Sequence, residues 1–449
     1  MKTPLLILTA LLLMPLAALR AAEQRPHILL IVADDLGLAD LSCCGAKQVQ
    51  TPHLDKLFAR GMRFTRFYAS SSLCSPSRAA MLTGRYPDLV APPGNLPAGD
   101  TKHLVSYAVT LPNALKKAGY RTALIGKWHL GDTSPNLPTE NGFDEFRGIT
   151  GPMVKDYFTH AQQKGTAKGL WHNTTPLALE GHVTDILTGW AVDYIRTMSK
   201  TGEPFFLYLP YNAPHSPHQA PPAWLARVRS RLPDLSEARA QYIAQVEHLD
   251  DSIGKALAAL RVAGQEERSF VIFTSDNGGR PGLTQPHGLR GGKNDLYEGG
   301  LRVPFCAVWP GRIAPGSQSD RIALGMDLYP TICEAAGVSY DPSINGRSFL
   351  PTLLGHSQPE EDRTLIWTVT AGKSAGADAG RPMYACRRGD WKLVQPAPSK
   401  PMQLFHLRDD PGEKTPLPSS HPEFVRLQRE LQAHLARVNS RSRAERETK

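Results

Sequence analysis

Two kinds of hydrophobic pattern alternate along most of the chain. His27-Ile28-Leu29-Leu30-Ile31-Val32-Ala33, Arg121 to Gly126, Pro204 to Leu209 and Ser269 to Thr274 are short runs of apolar and β-branched residues. Such runs predict strands buried on both faces, as in a parallel sheet. Between them lie stretches with apolar residues every three or four positions. Thr51 to Gly61 places Leu54, Leu57 and Phe58 on one face, and Thr110 to Ala118, Thr184 to Ser199 and Asp327 to Ala336 read as further helices. Ser236 to Ala263 gives the clearest helix, with Tyr242, Val246, Leu249, Ile253, Leu257 and Leu260 forming a stripe long enough to cover a sheet face. From about Asn345 the texture changes. Thr364 to Thr370, Met383 to Arg387, Trp391 to Gln395 and Gln403 to Leu407 are short strand-like runs between polar turns, followed by a helix over Pro422 to Arg437. This predicts an α/β core over residues 23–345 and a smaller α+β subdomain, with an antiparallel sheet, over 346–449.

Residues 1–22 stand outside this pattern. Lys2 precedes an apolar run from Leu5 to Leu19 and small residues at Ala21-Ala22, the layout of a secretory leader cleaved near Ala22. No other apolar run is long enough to span a bilayer, so the expectation is an exported protein, periplasmic or secreted, without integral membrane association. With 449 residues, 41% hydrophobic and 21% charged, the chain has the balance of an ordinary globular protein. The net charge of +9 owes much to the tail, where Arg437, Arg441, Arg443, Arg446 and Lys449 outnumber Glu445 and Glu447. That balance suits an anionic substrate, while the lack of a zinc finger or arginine-rich recognition element argues against nucleic acid. Cys43, Cys44, Cys74, Cys306, Cys333 and Cys386 are too sparse for a disulfide scaffold and contain no C-x-x-C pair. Their pairing is not encoded in the spacing.

The chemistry concentrates where strands end. Asp34-Asp35 follow the first strand, at the edge where open α/β sheets bind ligands, and two adjacent acids repel unless a hard cation joins them. Asp276-Asn277 repeat the arrangement after another strand. In Cys74-Ser75-Pro76-Ser77-Arg78, Pro76 suits the first turn of a helix that Gly84 can end. Cys74 would then sit at a helix N-terminus, a position that favours an anion or a negatively charged sulfur, with Arg78 one turn along. Lys127 and His129 follow the strand ending at Gly126, Pro214 and Pro217 flank the loop of His215, and Lys293 lies in the basic loop Gly288 to Lys293. Each feature alone also fits a structural role: a buried cysteine before a capped helix, acids capping a turn, a core histidine, a surface lysine.

As an ordered set, these residues resemble the type I sulfatases of the alkaline phosphatase superfamily. Cys74-Ser75-Pro76-Ser77-Arg78 with Leu82-Thr83-Gly84-Arg85 looks like the family's C-x-P-x-R signature. Gly119-Tyr120-Arg121-Thr122 with Gly126-Lys127-Trp128-His129-Leu130-Gly131 looks like its second signature. Asp34-Asp35, Pro214-His215, Asp276-Asn277-Gly278, Gly292-Lys293 and Glu298-Gly299-Gly300 fall in the family's order, and the likeness runs on to Asp390-Trp391-Lys392 and Asp410-Pro411-Gly412-Glu413.

The resemblance implies a large, mostly parallel central sheet with helices on both faces, plus the smaller C-terminal antiparallel sheet and terminal helix. It also implies that Cys74 becomes formylglycine, through a formylglycine-generating or anaerobic sulfatase-maturating enzyme. Asp34, Asp35, Asp276, Asn277 and the modified Cys74 would hold one divalent cation, Ca²⁺ before Mg²⁺. Arg78, Lys127, His129, His215 and Lys293 would be catalytic, and the substrate a sulfated sugar or polysaccharide. Asp156, Tyr157 and His160 are candidate substrate contacts. The alternatives are a formylglycine-dependent phosphodiesterase or phosphonate monoester hydrolase, and a non-catalytic protein that binds anionic glycans.

Overall fold

Alternation along the first strand organises the molecule. The structure, a computed structural model, describes residues 25–92, 94–97, 104, 108–161, 169–284, 288–359 and 362–447. The leader expected over residues 1–22 lies outside them. Strand β1 (His27–Ala33) is buried along its whole length. Its Leu29, Ile31 and Ala33 join one hydrophobic core and its Ile28, Leu30 and Val32 another. The first core is closed by the helices Pro52–Arg60, Val183–Met198 and Glu237–Val262. The second is closed by Cys74–Thr83, Leu111–Lys116 and Leu328–Ala335. A strand whose two faces both meet helices belongs inside an α/β sheet, which explains its uninterrupted apolar sequence.

The remaining strands of this sheet are β2 (Met62–Tyr68), β3 (Arg121–Lys127), β4 (Glu145–Ile149), β5 (Leu170–His172) and β6 (Thr175–Leu177). They continue as β7 (Phe205–Pro210), β8 (Ser269–Ser275), β9 (Phe305–Val308) and β10 (Ser317–Leu324). The spatial order is β10-β2-β9-β8-β1-β7-β3-β4-β5-β6. Its centre is parallel: β1 pairs with β7 and β8, and β3 with β7 and β4. Only β9 and the hairpin β5–β6 run against their neighbours.

The second sheet is antiparallel, in the order β11 (Leu365–Thr370), β12 (Pro382–Arg388), β13 (Trp391–Val394) and β14 (Gln403–His406). It does not stand apart. Trp367, Leu393, Phe405, Leu427 and Leu431 share a third core with Tyr68, Leu73, Ala80 and Tyr86 of the Cys74 segment, and the Trp367 indole N–H donates to the Ala69 carbonyl at 2.8 Å.

The expected strands and helices form within a few residues of their predicted limits, while the terminal helix runs further than Arg437, over Pro422–Glu447. Strands β2, β4 and β10 carry no apolar run that singles them out, and β9 is only the four-residue apolar run Phe305–Val308. In β10, SQSDRIAL is mostly polar because it is the half-exposed edge of the sheet. All six cysteines are free, with the Cys43 and Cys44 sulfurs 4.0 Å apart.

Candidate active site

Four neighbouring strands of the large sheet, β8-β1-β7-β3, deliver the predicted residues to one edge. The register puts Ala33 beside Ser275, and the ladder continues past the strands: Asp276 N–H donates to the Ala33 carbonyl and Asp34 N–H to the Ala213 carbonyl, both at 3.1 Å. Asp34-Asp35 after β1, Asp276-Asn277 after β8, His215 after β7, and Lys127 with His129 at the end of β3 therefore converge. Asp35 turns at φ 66° and His129 at φ 60°, a region that costs an ordinary side chain energy and is tolerated where the surroundings hold it.

Cys74 enters from the other side, as the first residue of the helix Cys74–Thr83. The helix begins and ends as its sequence suggests: Leu73 is extended, Pro76 lies in the first turn, and Gly84 at φ 66° donates its N–H to the Ala80 carbonyl. Ser77 secures the preceding loop through 3.0 Å bonds to the Ser71 N–H and carbonyl. The Cys74 sulfur lies 3.4 Å from Asp34 Oδ1, 3.8 Å from Asp35 Oδ1 and 3.5 Å from Lys293 Nζ.

Around that sulfur the charges interlock. Arg78 grips Asp276 Oδ2 through Nε at 3.0 Å and Nη2 at 2.7 Å, and also donates to the Lys127 carbonyl at 3.1 Å. Lys127 Nζ is 2.6 Å from Asp34 Oδ2, and Lys293 Nζ is 2.7 Å from Asp35 Oδ2. Asn277 donates to Asp35 Oδ1 at 2.8 Å. Asp34, Asp35 and Asp276 are thus matched by Arg78, Lys127 and Lys293, all but Lys293 with almost no exposed surface.

Burial sets the protonation states. It works against the Asp35 charge, but Lys293 and His215 hold that carboxyl below its usual range. It pushes Asp276 up to about 6, with Asp34 adding to the effect. Burial lowers His215 to about 3 against the pull of Asp35, and also lowers His129 well below the usual imidazole range, helped by Lys127 and Arg78. The thiol corrects the sequence reading: burial, outweighing Lys127 and Lys293, pushes Cys74 well above a normal cysteine, so the helix N-terminus does not make it a thiolate. A neutral buried thiol is a poor nucleophile.

Both imidazoles are oriented. His215 Nδ1 is 2.7 Å from the Ser216 carbonyl, which leaves Nε2 facing Asp35 Oδ2 at 3.6 Å. His129 Nε2 is 3.0 Å from the Leu96 carbonyl, which leaves Nδ1 buried and without a partner. A carbonyl fixes the tautomer in each case, so the other ring nitrogen carries any proton transfer.

The oxygen donors at this site suit a hard cation, and a thiol and an imidazole lie beside them. Asp34, Asp35, Cys74 and His215 each offer a ligand atom, all within 4.8 Å of one another, and Asn277 Oδ1 is buried without a hydrogen bond. A divalent ion would satisfy that amide oxygen and leave the matched charges with a surplus of positive charge, suited to an anionic group.

The candidate substrate contacts are engaged elsewhere. Asp156 accepts from the Phe158 and Thr159 N–H groups at 2.9 and 2.7 Å and from Gln219 at 3.0 Å. Tyr157 is fully buried, with its hydroxyl 2.8 Å from both the Asn212 and His215 carbonyls. His160 Nε2 is 2.7 Å from the Gly181 carbonyl, and the residue is buried. The residues not anticipated include Asn95, which accepts the Ser75 N–H at 3.2 Å, and Leu96, which holds His129. They sit in a loop whose sequence carries no periodicity. Thr150, bonded through its carbonyl to the His129 N–H at 3.0 Å, has a buried hydroxyl with no partner.

The chain is similar to known proteins along most of its length. The family profile described as Sulfatase matches residues 26–338, and that described as N-sulphoglucosamine sulphohydrolase, C-terminal, matches residues 287–441. N-acetylgalactosamine-6-sulfatase of Rattus norvegicus is 33% identical, over 90% of this chain and 83% of its own length. Arylsulfatase A of Homo sapiens is 32% identical, over 96% and 91%. The crystal structure of Ps i-CgsB in complex with k-i-k-neocarrahexaose superimposes with a TM-score of 0.84 at 31% identity, covering 91% of this chain and 92% of that one.

Proposed function

The chain belongs to the sulfatase family of sulfuric ester hydrolases, and on that premise we propose that it is an exported enzyme that hydrolyses sulfate esters of a sulfated sugar or polysaccharide. The names of the amino-sugar sulfatase relatives, and the carbohydrate in the Ps i-CgsB complex, support a sugar ester over a simple aryl ester. The observation that carries the chemistry is the Cys74 sulfur held between Asp34, Asp35 and Lys293 with no thiolate character. Such a residue is better placed as the precursor of a nucleophile than as the nucleophile.

Oxidation of Cys74 to formylglycine by a maturating enzyme, followed by hydration, places two hydroxyl groups where the thiol stands. Asp34, Asp35, Asp276, Asn277 and residue 74 would hold Ca²⁺, which when bound supplies positive charge beside the hydrate and the ester oxygens. Lys127 and Lys293 grip the sulfate, and Arg78 adds charge from beneath. One hydrate oxygen attacks sulfur as its proton passes to the unprotonated His215 Nε2, and the S–O bond to the sugar breaks, the departing oxygen taking that proton from Nε2 with Lys293 beside it. His129 Nδ1 then takes the proton of the remaining hydroxyl. The C–O bond to sulfate breaks, the aldehyde re-forms, and water restores the hydrate.

The test joins mass spectrometry with paired substrates. Protein from a host containing the maturating enzyme should carry the aldehyde in the peptide Phe67–Arg78. It should turn over an aryl sulfate faster than an aryl phosphate diester or phosphonate. An unmodified thiol in an active protein, or a preference for phosphorus, overturns the proposal.

A further inference from the structure

A second set of buried charges lies outside the reaction centre, at the junction with the small sheet. Lys392 of β13 has no exposed surface, and its Nζ is 3.0 Å from Glu298 Oε1 and 2.9 Å from Glu413 Oε1. Glu298 Oε2 accepts the Tyr68 hydroxyl at 2.6 Å, and Arg387 donates to the same hydroxyl. Glu413 Oε2 accepts the Glu298 N–H at 2.6 Å, while its Oε1 meets Lys392 by charge alone, without hydrogen-bond alignment. Burial works against the Glu298 charge, yet Lys392 and Arg387 hold its pKa down to about 2. Charges this dry are rarely a source of net stability, and in some proteins they serve instead to specify one arrangement of the elements that carry them.

Here those elements lead into the site. Glu298 opens the short helix that ends the loop carrying Lys293. The loop is bound along its length: Lys293 N–H donates to the Gly279 carbonyl at 2.9 Å, Asn294 N–H to Ser72 at 3.1 Å, and Gly299 N–H to Arg290 at 2.8 Å. Gly278, next to Asn277, donates to the Gly300 carbonyl at 3.0 Å, and a Cβ on Gly278 would stand 2.0 Å from the Gly299 oxygen. Arg290 reaches back to the Glu413 carbonyl at 2.8 Å. Tyr68 ends the strand that leads to Cys74. A displacement of Glu298 therefore has no slack to absorb it before Lys293 moves.

We propose that Lys392, with Glu298 and Glu413, is a positioning clamp through which the C-terminal sheet holds Lys293 at the reaction centre. This rests on the sulfatase reading of that centre. Lys392 touches neither Cys74 nor the acids around it, so its effect is transmitted through Glu298.

The clamp is tested by a double-mutant cycle in the full-length, matured enzyme. Lys392→Met should lower aryl sulfate kcat/KM by about 10- to 100-fold, the range of residues that orient the groups touching a reactive centre. Lys392→Arg should recover part of it. In a Lys293→Ala background, Lys392→Met should cost no more than about twofold, because the group it positions is gone. If Lys392→Met does not fold, Glu413→Gln follows the same cycle, since its amide oxygen can still accept the Glu298 N–H. Calorimetric binding of inorganic sulfate supplies a readout without turnover: affinity should fall in Lys392→Met and fall no further when that change is added to Lys293→Ala. Wild-type activity and sulfate affinity in a folded clamp variant, or equal losses in both backgrounds, overturn the proposal. Wild-type protein that binds sulfate but hydrolyses no sulfate ester overturns the proposed function instead, and leaves the clamp to be judged on binding.

Discussion

Lys127 and Asp34 form an ion pair from which water is excluded: Nζ lies 2.6 Å from Oδ2, and neither side chain has exposed surface. Removing one member of such a pair leaves the other charged and unsolvated, which typically costs about 3–5 kcal/mol. Lys127→Met is therefore expected to lower the unfolding midpoint markedly in chelator. On the proposed cation site, Ca²⁺ should restore more of it than in wild type, because the ion would take over the neutralisation of Asp34. Urea melts in chelator and in Ca²⁺ check this, and an unchanged midpoint in chelator contradicts it.

Cys74→Ala should separate chemistry from folding. The sulfur makes only long contacts, the nearest at 3.4 Å to Asp34, and no disulfide. Its loss should shift the melt by about 1–2 kcal/mol at most, the scale of a small buried truncation. Turnover should vanish, since no other side chain in the cluster yields an aldehyde hydrate. Appreciable residual turnover by purified Cys74→Ala contradicts the role given to residue 74.

The parts of this site legible in the sequence are those whose chemistry is local. Asp34-Asp35 and Asp276-Asn277 follow strands so apolar that their position is fixed by pattern alone, and parallel pairing in register then brings them together. Cys74, Pro76 and Gly84 announce their helix. What escaped depends on contacts between distant segments. Nothing near Tyr157 in the chain says that its hydroxyl will meet the carbonyls of Asn212 and His215 rather than a sugar. Leu96 holds His129 through a backbone carbonyl, which every residue has. A helix N-terminus taken alone favours a charged sulfur, and the desolvation and the acids that the fold brings to Cys74 reverse that preference. Edge strands such as β10 were missed because an exposed edge needs no apolar run.

Tyr157→Phe should reveal its structural duty. The hydroxyl ties the loop of His215 from below, and Asn212 Nδ2 also donates to it at 3.0 Å. The ring is fully buried, so phenylalanine fills the same space and leaves two carbonyls and an amide with one partner fewer. The expectation is a fall in kcat of about tenfold, as for a slightly misplaced catalytic group, with KM for aryl sulfate nearly unchanged. A rise in KM alone, with kcat retained, would return Tyr157 to the role of substrate contact.

His182 should govern part of the acid sensitivity of the fold. It caps the helix Val183–Met198, accepting the Thr184 N–H on Nδ1 at 3.3 Å, and its Nε2 lies 2.9 Å from the Gln219 carbonyl. Its ring packs among Tyr157, Phe158 and His248, at centroid distances of 5.1, 5.1 and 4.8 Å. Burial, then the neighbouring His248, lowers its pKa from 6.5 to about 4. The unfolded chain therefore binds more protons between these values. The stabilisation is complete above about pH 6.5 and is lost as the pH falls towards 4, reaching about 3 kcal/mol by linkage. Asp185, the partner of His248, is itself held below the usual carboxylate range, so its own contribution is lost at lower pH. His182→Asn keeps an oxygen that can cap the helix but does not titrate. Urea unfolding of wild type and His182→Asn should give curves of stability against pH that run parallel above about pH 6.5 and change their separation as the pH falls towards 4, wild type losing about 3 kcal/mol more than the variant. Parallel curves across that window would place the acid sensitivity elsewhere.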